Sequence, residues 1–201
     1  MKLILPYFII LIVLLQLCLR KNSKKAEKNN DDFWRKEHEA NSVRKKDISG
    51  LDYITIPDTL AIPDTQNPRI LKEWNTLCNL KDKKILNLTG YTNTDLKLQY
   101  GAANLTQLTV CDNNFTTLAK AVARIGEQLM KEGFTDEALS FLEYGITIQT
   151  DVSTNYTLLA EYYRSEGAPE KIDTLISRAE QLNSLMKDSI LSKLKAIRSG
   201  E

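Results

Sequence analysis

The feature that most constrains this chain is a self-similarity at a fixed spacing of 34 residues. Laying residues 119–152 over 153–186 pairs Val122 with Tyr156, Ile125 with Leu159, Gly126 with Ala160, Leu129 with Tyr163 and Gly133 with Gly167. The register continues through Ala138 and Ile172, Leu142 and Ile176, Gly145 and Ala179, and Ile148 and Leu182. Apolar meets apolar and small meets small, so the segment holds two copies of one helical hairpin, each burying its face against the next. Gly126 and Ala160 are small where the two helices of a hairpin must approach closely, and Gly133 and Gly167 fall where each first helix should end. Thr135, Asp136 and Glu137 suit a helix start, and Pro169 suits the first turn of the corresponding helix.

This pattern resembles the tetratricopeptide repeat, in which a bulky residue is followed by Leu and a small residue, then Tyr, Ala, an aromatic and a late Pro. Val122, Ile125, Gly126, Leu129, Ala138, Leu142 and Gly145 carry it in the first copy; Tyr156, Leu159, Ala160, Tyr163, Ile172, Ile176 and Ala179 carry it in the second. Thr150 and Ser184 replace the final Pro, and Ile172 occupies a usually small site. The resemblance implies an all-α solenoid of hairpins with a concave face that grips partner peptides. Its groove would be formed by Lys120, Ala123, Glu127, Met130, Thr157, Glu161 and Arg164. Glu127 and Glu161 stand where chaperone-binding relatives carry Asn, so the groove is expected to prefer a basic or neutral segment. Leu185, Ile190, Leu191, Leu194 and Ile197 predict a last helix that caps the stack.

The other end of the chain carries a different signal. Residues 3–19 are apolar apart from Gln16 and, as 17 residues of helix, span about 25 Å, the short end of a membrane crossing. No A-x-A-like site follows them, which favours an uncleaved anchor over a signal peptide. Leu17 precedes Cys18 where a lipid-attachment motif wants a small side chain, so Cys18 is expected to be one more apolar residue. Residues 20–46 hold ten Lys or Arg against five Asp or Glu, and the positive-inside rule then places the C-terminal part in the cytoplasm. Four N-x-T sequons, at Asn87, Asn104, Asn114 and Asn155, would matter only on the lumenal side.

Residues 20–50 contain almost no aliphatic side chains and predict a basic, polar tether, partly helical at most. Phe33 and Trp34 interrupt it and are expected either at lipid headgroups or docked on the folded part. Residues 51–66 contain I-P-D-T twice; Pro57 and Pro63 impose an extended strap whose Ile54, Ile56, Leu60 and Ile62 pack downward. Asn67 followed by Pro68 starts an amphipathic helix running to about residue 79, with short helices and turns from there to residue 116. Residues 117–201 form the repeats and cap.

Twenty-seven Lys and Arg against 26 Asp and Glu leave no basic footprint for nucleic acid. One His and three Cys offer no metal cluster, and no nucleophile elbow, phosphate loop or H-E-x-x-H occurs, so neither catalysis nor a cofactor is expected. The expected function is a single-pass, membrane-anchored scaffold that binds protein or peptide partners. The alternatives are a structural or assembly component on the outer side of an envelope and, third, an enzyme of unrecognised type.

Overall fold

The computed structural model describes residues 4–200; within the first helix the side chains of residues 4–6, 8–11, 13, 14, 17, 18, 22 and 24–26 lie outside the description. Among the described residues all regular structure is helical: α1 Ile4–Ser42, α2 Pro68–Cys78, α3 Asn93–Tyr100, α4 Leu105–Glu132, α5 Thr135–Thr147, α6 Ser153–Ser165, α7 Pro169–Glu180 and α8 Lys187–Ser199, with a 3-10 turn at Ala102–Asn104. The chain divides into two compact units, Met1–Asp47 with Thr92–Leu105, and Ile48–Tyr91 with Thr106–Glu201.

In the first unit the expected tether proves to be continuous helix as far as Ser42. Residues 7–49 contain neither Gly nor Pro, and Asp32 pairs with Arg35 one turn on at 2.9 Å, so nothing interrupts the hydrogen-bond ladder. The helix has 39 residues, about 58 Å at 1.5 Å per residue. Its C-terminal end receives α3: Glu37 accepts the Thr94 hydroxyl at 2.8 Å and pairs with Lys97. Thr92 and Asp95 close a capping box at the start of α3. Gly101, at φ +91°, faces the Arg44 carbonyl, whose oxygen a Cβ would meet at 2.4 Å. Buried Asn104 gives its amide hydrogens to the carbonyls of Lys46 and Tyr100, each at 2.7 Å. Phe33 and Trp34 stack edge to face with centroids 5.3 Å apart and remain about half exposed. The anchor expected at residues 3–19 falls largely on side chains outside the description; among the described residues no helix is long and apolar enough to cross a membrane.

In the second unit the strap lies down through its apolar residues, with Ile56 and Leu60 buried and Ile54 and Ile62 partly so. The α2 helix starts as its sequence dictates: the Asn67 side chain accepts the Arg69 N–H at 2.8 Å and Pro68 takes the first turn. Ile70 and Leu77 bury beneath it, and the Trp74 ring meets Phe141 of α5 edge on at 6.2 Å.

The short pieces expected up to residue 116 are instead absorbed, from Leu105 onward, into a 28-residue α4. Leu108, Cys111, Phe115, Leu118, Val122, Ile125 and Leu129 alternate at spacings of three and four and are all buried, forming one continuous stripe. The first copy of the repeat therefore begins inside a helix. From there the 34-residue register is observed in burial: of the paired positions from Val122 and Tyr156 to Ile148 and Leu182, all are interior except the exposed helix-ending Gly133 and Gly167 and the partly exposed Ile176. Gly133, at φ +84°, and Gly167, at φ +67°, end α4 and α6. In each case the following N–H reaches back five residues, Phe134 to Leu129 at 3.0 Å and Ala168 to Tyr163 at 2.9 Å, the closure that a left-handed glycine permits.

The α8 helix packs on α6 and α7 through Ile190 and Leu194, and Arg198 forks onto Asp173 at 3.0 and 3.2 Å. Leu185, expected to be part of that apolar face, is fully exposed because the helix begins only at Lys187.

Candidate functional site

The seven residues expected to line a groove differ in exposure. Ala123 is buried and closes the interior instead of facing a ligand, and Met130 packs against both apolar clusters of the unit. Glu127 is tied to Lys131 at 2.6 Å, and the Thr157 hydroxyl bonds to the Ser153 carbonyl at 3.2 Å. Lys120, Glu161 and Arg164 are exposed.

A concavity of the second unit lies elsewhere. It is a cleft of about 630 Å³ walled by the strap (Asp52 to Thr55), the loop from Leu86 to Tyr91, the C-terminal end of α5 and the link after α7. Three contacts fix its walls. The Tyr144 hydroxyl donates to the Thr55 carbonyl at 3.0 Å. Asn87 donates to the carbonyls of Ile148 and Gln149 at 3.3 and 3.2 Å, while its own oxygen accepts the Thr89 N–H at 3.0 Å. Gly90, at φ +88°, lies against Asn183, whose side-chain nitrogen a Cβ would meet at 2.3 Å.

Gln149 stands at φ +55°, the one left-handed residue other than glycine among the described residues. It ends α5 in the same way that Gly133 and Gly167 end their helices, with the Thr150 N–H reaching back to Gly145 at 3.1 Å. A side chain there costs about 1 kcal/mol relative to glycine. It also places a carboxamide at the cleft. Strain of this kind is characteristic of sites held in place by their surroundings.

The lining is almost uncharged. Asn87, Gln149, Gln181 and Asn183 supply amides; Thr55, Thr89, Thr147 and Ser184 supply hydroxyls; Tyr53, Tyr91 and Tyr144 supply rings; Asp52 is the single carboxylate. Burial pushes the Tyr144 phenol up to about 12, so it remains a donor at neutral pH. Among the described residues no three His, Cys, Asp or Glu gather as a metal site. What the cleft can do chemically is exchange neutral hydrogen bonds and stack aromatic faces.

Sequence reasoning missed it because the four walls come from segments up to 132 residues apart, from Asp52 to Ser184. The available signal was a non-glycine residue at Gln149, sixteen positions after Gly133, where α5 had to stop. The sequon asparagines are engaged internally: Asn104 and Asn155 are fully buried, Asn87 holds the cleft, and Asn114 donates to the Lys84 carbonyl at 2.9 Å. Compared with known proteins, the chain matches no family model, no curated protein and no solved structure.

Proposed function

We propose that this chain is a non-catalytic binding module of tetratricopeptide-like hairpins, anchored in a membrane by residues 3–19 with its C-terminal part on the cytoplasmic side. Its cleft takes an extended, neutral or basic segment of a partner protein. The observation that carries the reading is the 34-residue recurrence of buried positions across α4, α5, α6 and α7, the property by which stacked helical repeats bury a shared core. Amides and hydroxyls match a peptide main chain, which presents alternating donors and acceptors, and Asp52 disfavours an acidic occupant.

The anchor confines the module to two dimensions and raises its effective concentration for partners at the same surface. Because α1 is continuous, Phe33 lies 14 residues past Leu19, about 21 Å along the helix and beyond a headgroup layer of about 5–7 Å on each side. The aromatic pair is therefore assigned to contact with protein and not with lipid.

A photo-crosslinking amino acid placed at Thr147 or Gln181, both exposed in the cleft, should capture the partner in cells, whereas Lys120 and Glu161 should not. Capture from Lys120 and Glu161 alone would move the site to the helical face. A reporter fused after Glu201 and active only outside the cytoplasm would favour the envelope alternative.

A further inference from the structure

A second concavity in the same unit, about 290 Å³, carries the opposite chemistry to the cleft. It is lined by Arg69, Lys72 and Glu73 of α2 and by Arg124 and Gln128 of α4. These helices run antiparallel here. The start of α2 is tied to the end of α4 by Thr65 and Asn67, both of which donate to Glu132. Further along, Glu73 holds Arg124 at 2.9 Å. The inner faces of both helices are committed to the core through Ile70, Leu77, Val122 and Ile125, which leaves the cations on the outer rim.

We propose that this notch binds acidic side chains of a partner peptide. Three cations converge on a small concavity in a part of the chain where residues 47–201 carry 16 Lys or Arg against 21 Asp or Glu, so bulk composition does not explain the gathering. Arg124 has a carboxylate; Arg69 and Lys72 have none among the described residues. Like charges held together without a counter-charge repel, and an incoming carboxylate removes that repulsion while gaining charge-assisted hydrogen bonds. Glu73 is largely buried and Arg124 largely open, so the carboxylate acts as a fixed post that orients the guanidinium outward. Gln128 adds a neutral amide donor at the same rim. An anionic lipid surface fits less well, because polybasic membrane segments gather about four to eight cations. Here there are three, in a recess that also contains Glu73. This site is independent of the cleft.

The test uses the full chain in nanodiscs of zwitterionic lipid and a fluorescein-labelled peptide of glutamates, read by anisotropy. Binding should weaken at least tenfold in Arg69→Gln/Lys72→Gln, fall as salt is raised, and stay unchanged in the cleft variant Thr147→Trp. Both replaced residues are exposed, and an unchanged melting curve checks the fold. Absence of binding by the wild type, equal binding by the double variant, or binding to phosphatidylserine vesicles in place of the peptide would each overturn the proposal.

Discussion

Gly126 of α4 lies so close to Leu142 of α5 that a Cβ added to it would stand 2.7 Å from the leucine Cδ2. Both residues are interior, so Leu142 would have to shift within the buried core to admit a larger side chain. Gly126→Val should therefore cost about 2–3 kcal/mol by overpacking, seen as a lower melting temperature. Leu142→Ala also destabilises, by opening a cavity. Combining the two should cost clearly less than their sum, because the added methyls occupy the vacated volume. Strict additivity would mean that the helices do not meet at this point.

Gln149 offers a test in which stability and function separate. Gln149→Gly removes the left-handed penalty without disturbing any bond its backbone makes, and should stabilise by about 0.5–1 kcal/mol. If the carboxamide contributes to ligand binding at the cleft, the same variant should bind the partner segment more weakly while melting at a higher temperature. A variant that is neither more stable nor weaker in binding would remove the reason for a glutamine there.

The hairpins were legible because their determinants are local and periodic. Gly133, Gly167, Asn67 and Pro169 each act within one turn of chain, and each falls where the sequence placed it. The start of α4 was less legible. Its stripe from Leu108 to Leu129 is present in the sequence, but the 34-residue register begins only at residue 119, inside a helix already under way. The extension of α1 to Ser42 departs from the tether that low apolarity predicts, because a run of Lys, Arg and Glu free of Gly and Pro favours helix even where it buries nothing. The cleft could not be read at all, since Asp52, Asn87, Gln149 and Asn183 meet only through tertiary packing.

Thr150 and Asn155 form a fully buried polar couple, with the amide donating to the hydroxyl at 2.8 Å. Gly145 makes room for it, since a Cβ there would lie 2.2 Å from the Asn155 nitrogen. The Asn155 oxygen has no partner among the described residues. Asn155→Ala should cost about 2–3 kcal/mol by leaving a cavity and depriving the Thr150 oxygen of its donor. Thr150→Val in the Asn155→Ala background should recover about 1 kcal/mol, because the buried oxygen is then gone. If chemical denaturation shows the double variant less stable than Asn155→Ala alone, the threonine has another role.

Alkaline pH should act on the second unit through its buried tyrosines. Burial pushes Tyr156 up to about 12 from an ordinary value of 10, with the Asp151 charge adding to the shift. Tyr163 moves the same way, by burial and by its 2.7 Å bond to Glu143. A phenol whose proton is held more tightly in the folded state contributes its full stability below pH 10. Above that, the unfolded chain releases the proton first, so stability falls as pH climbs toward 12. The denaturation midpoint should be insensitive to these groups between pH 7 and 9 and should decline beyond pH 10. Tyr156→Phe should flatten that decline by at most about 2 kcal/mol. An identical slope in the variant would show that Tyr156 ionises as freely in the folded chain as in the unfolded one, which its 1 % exposure opposes.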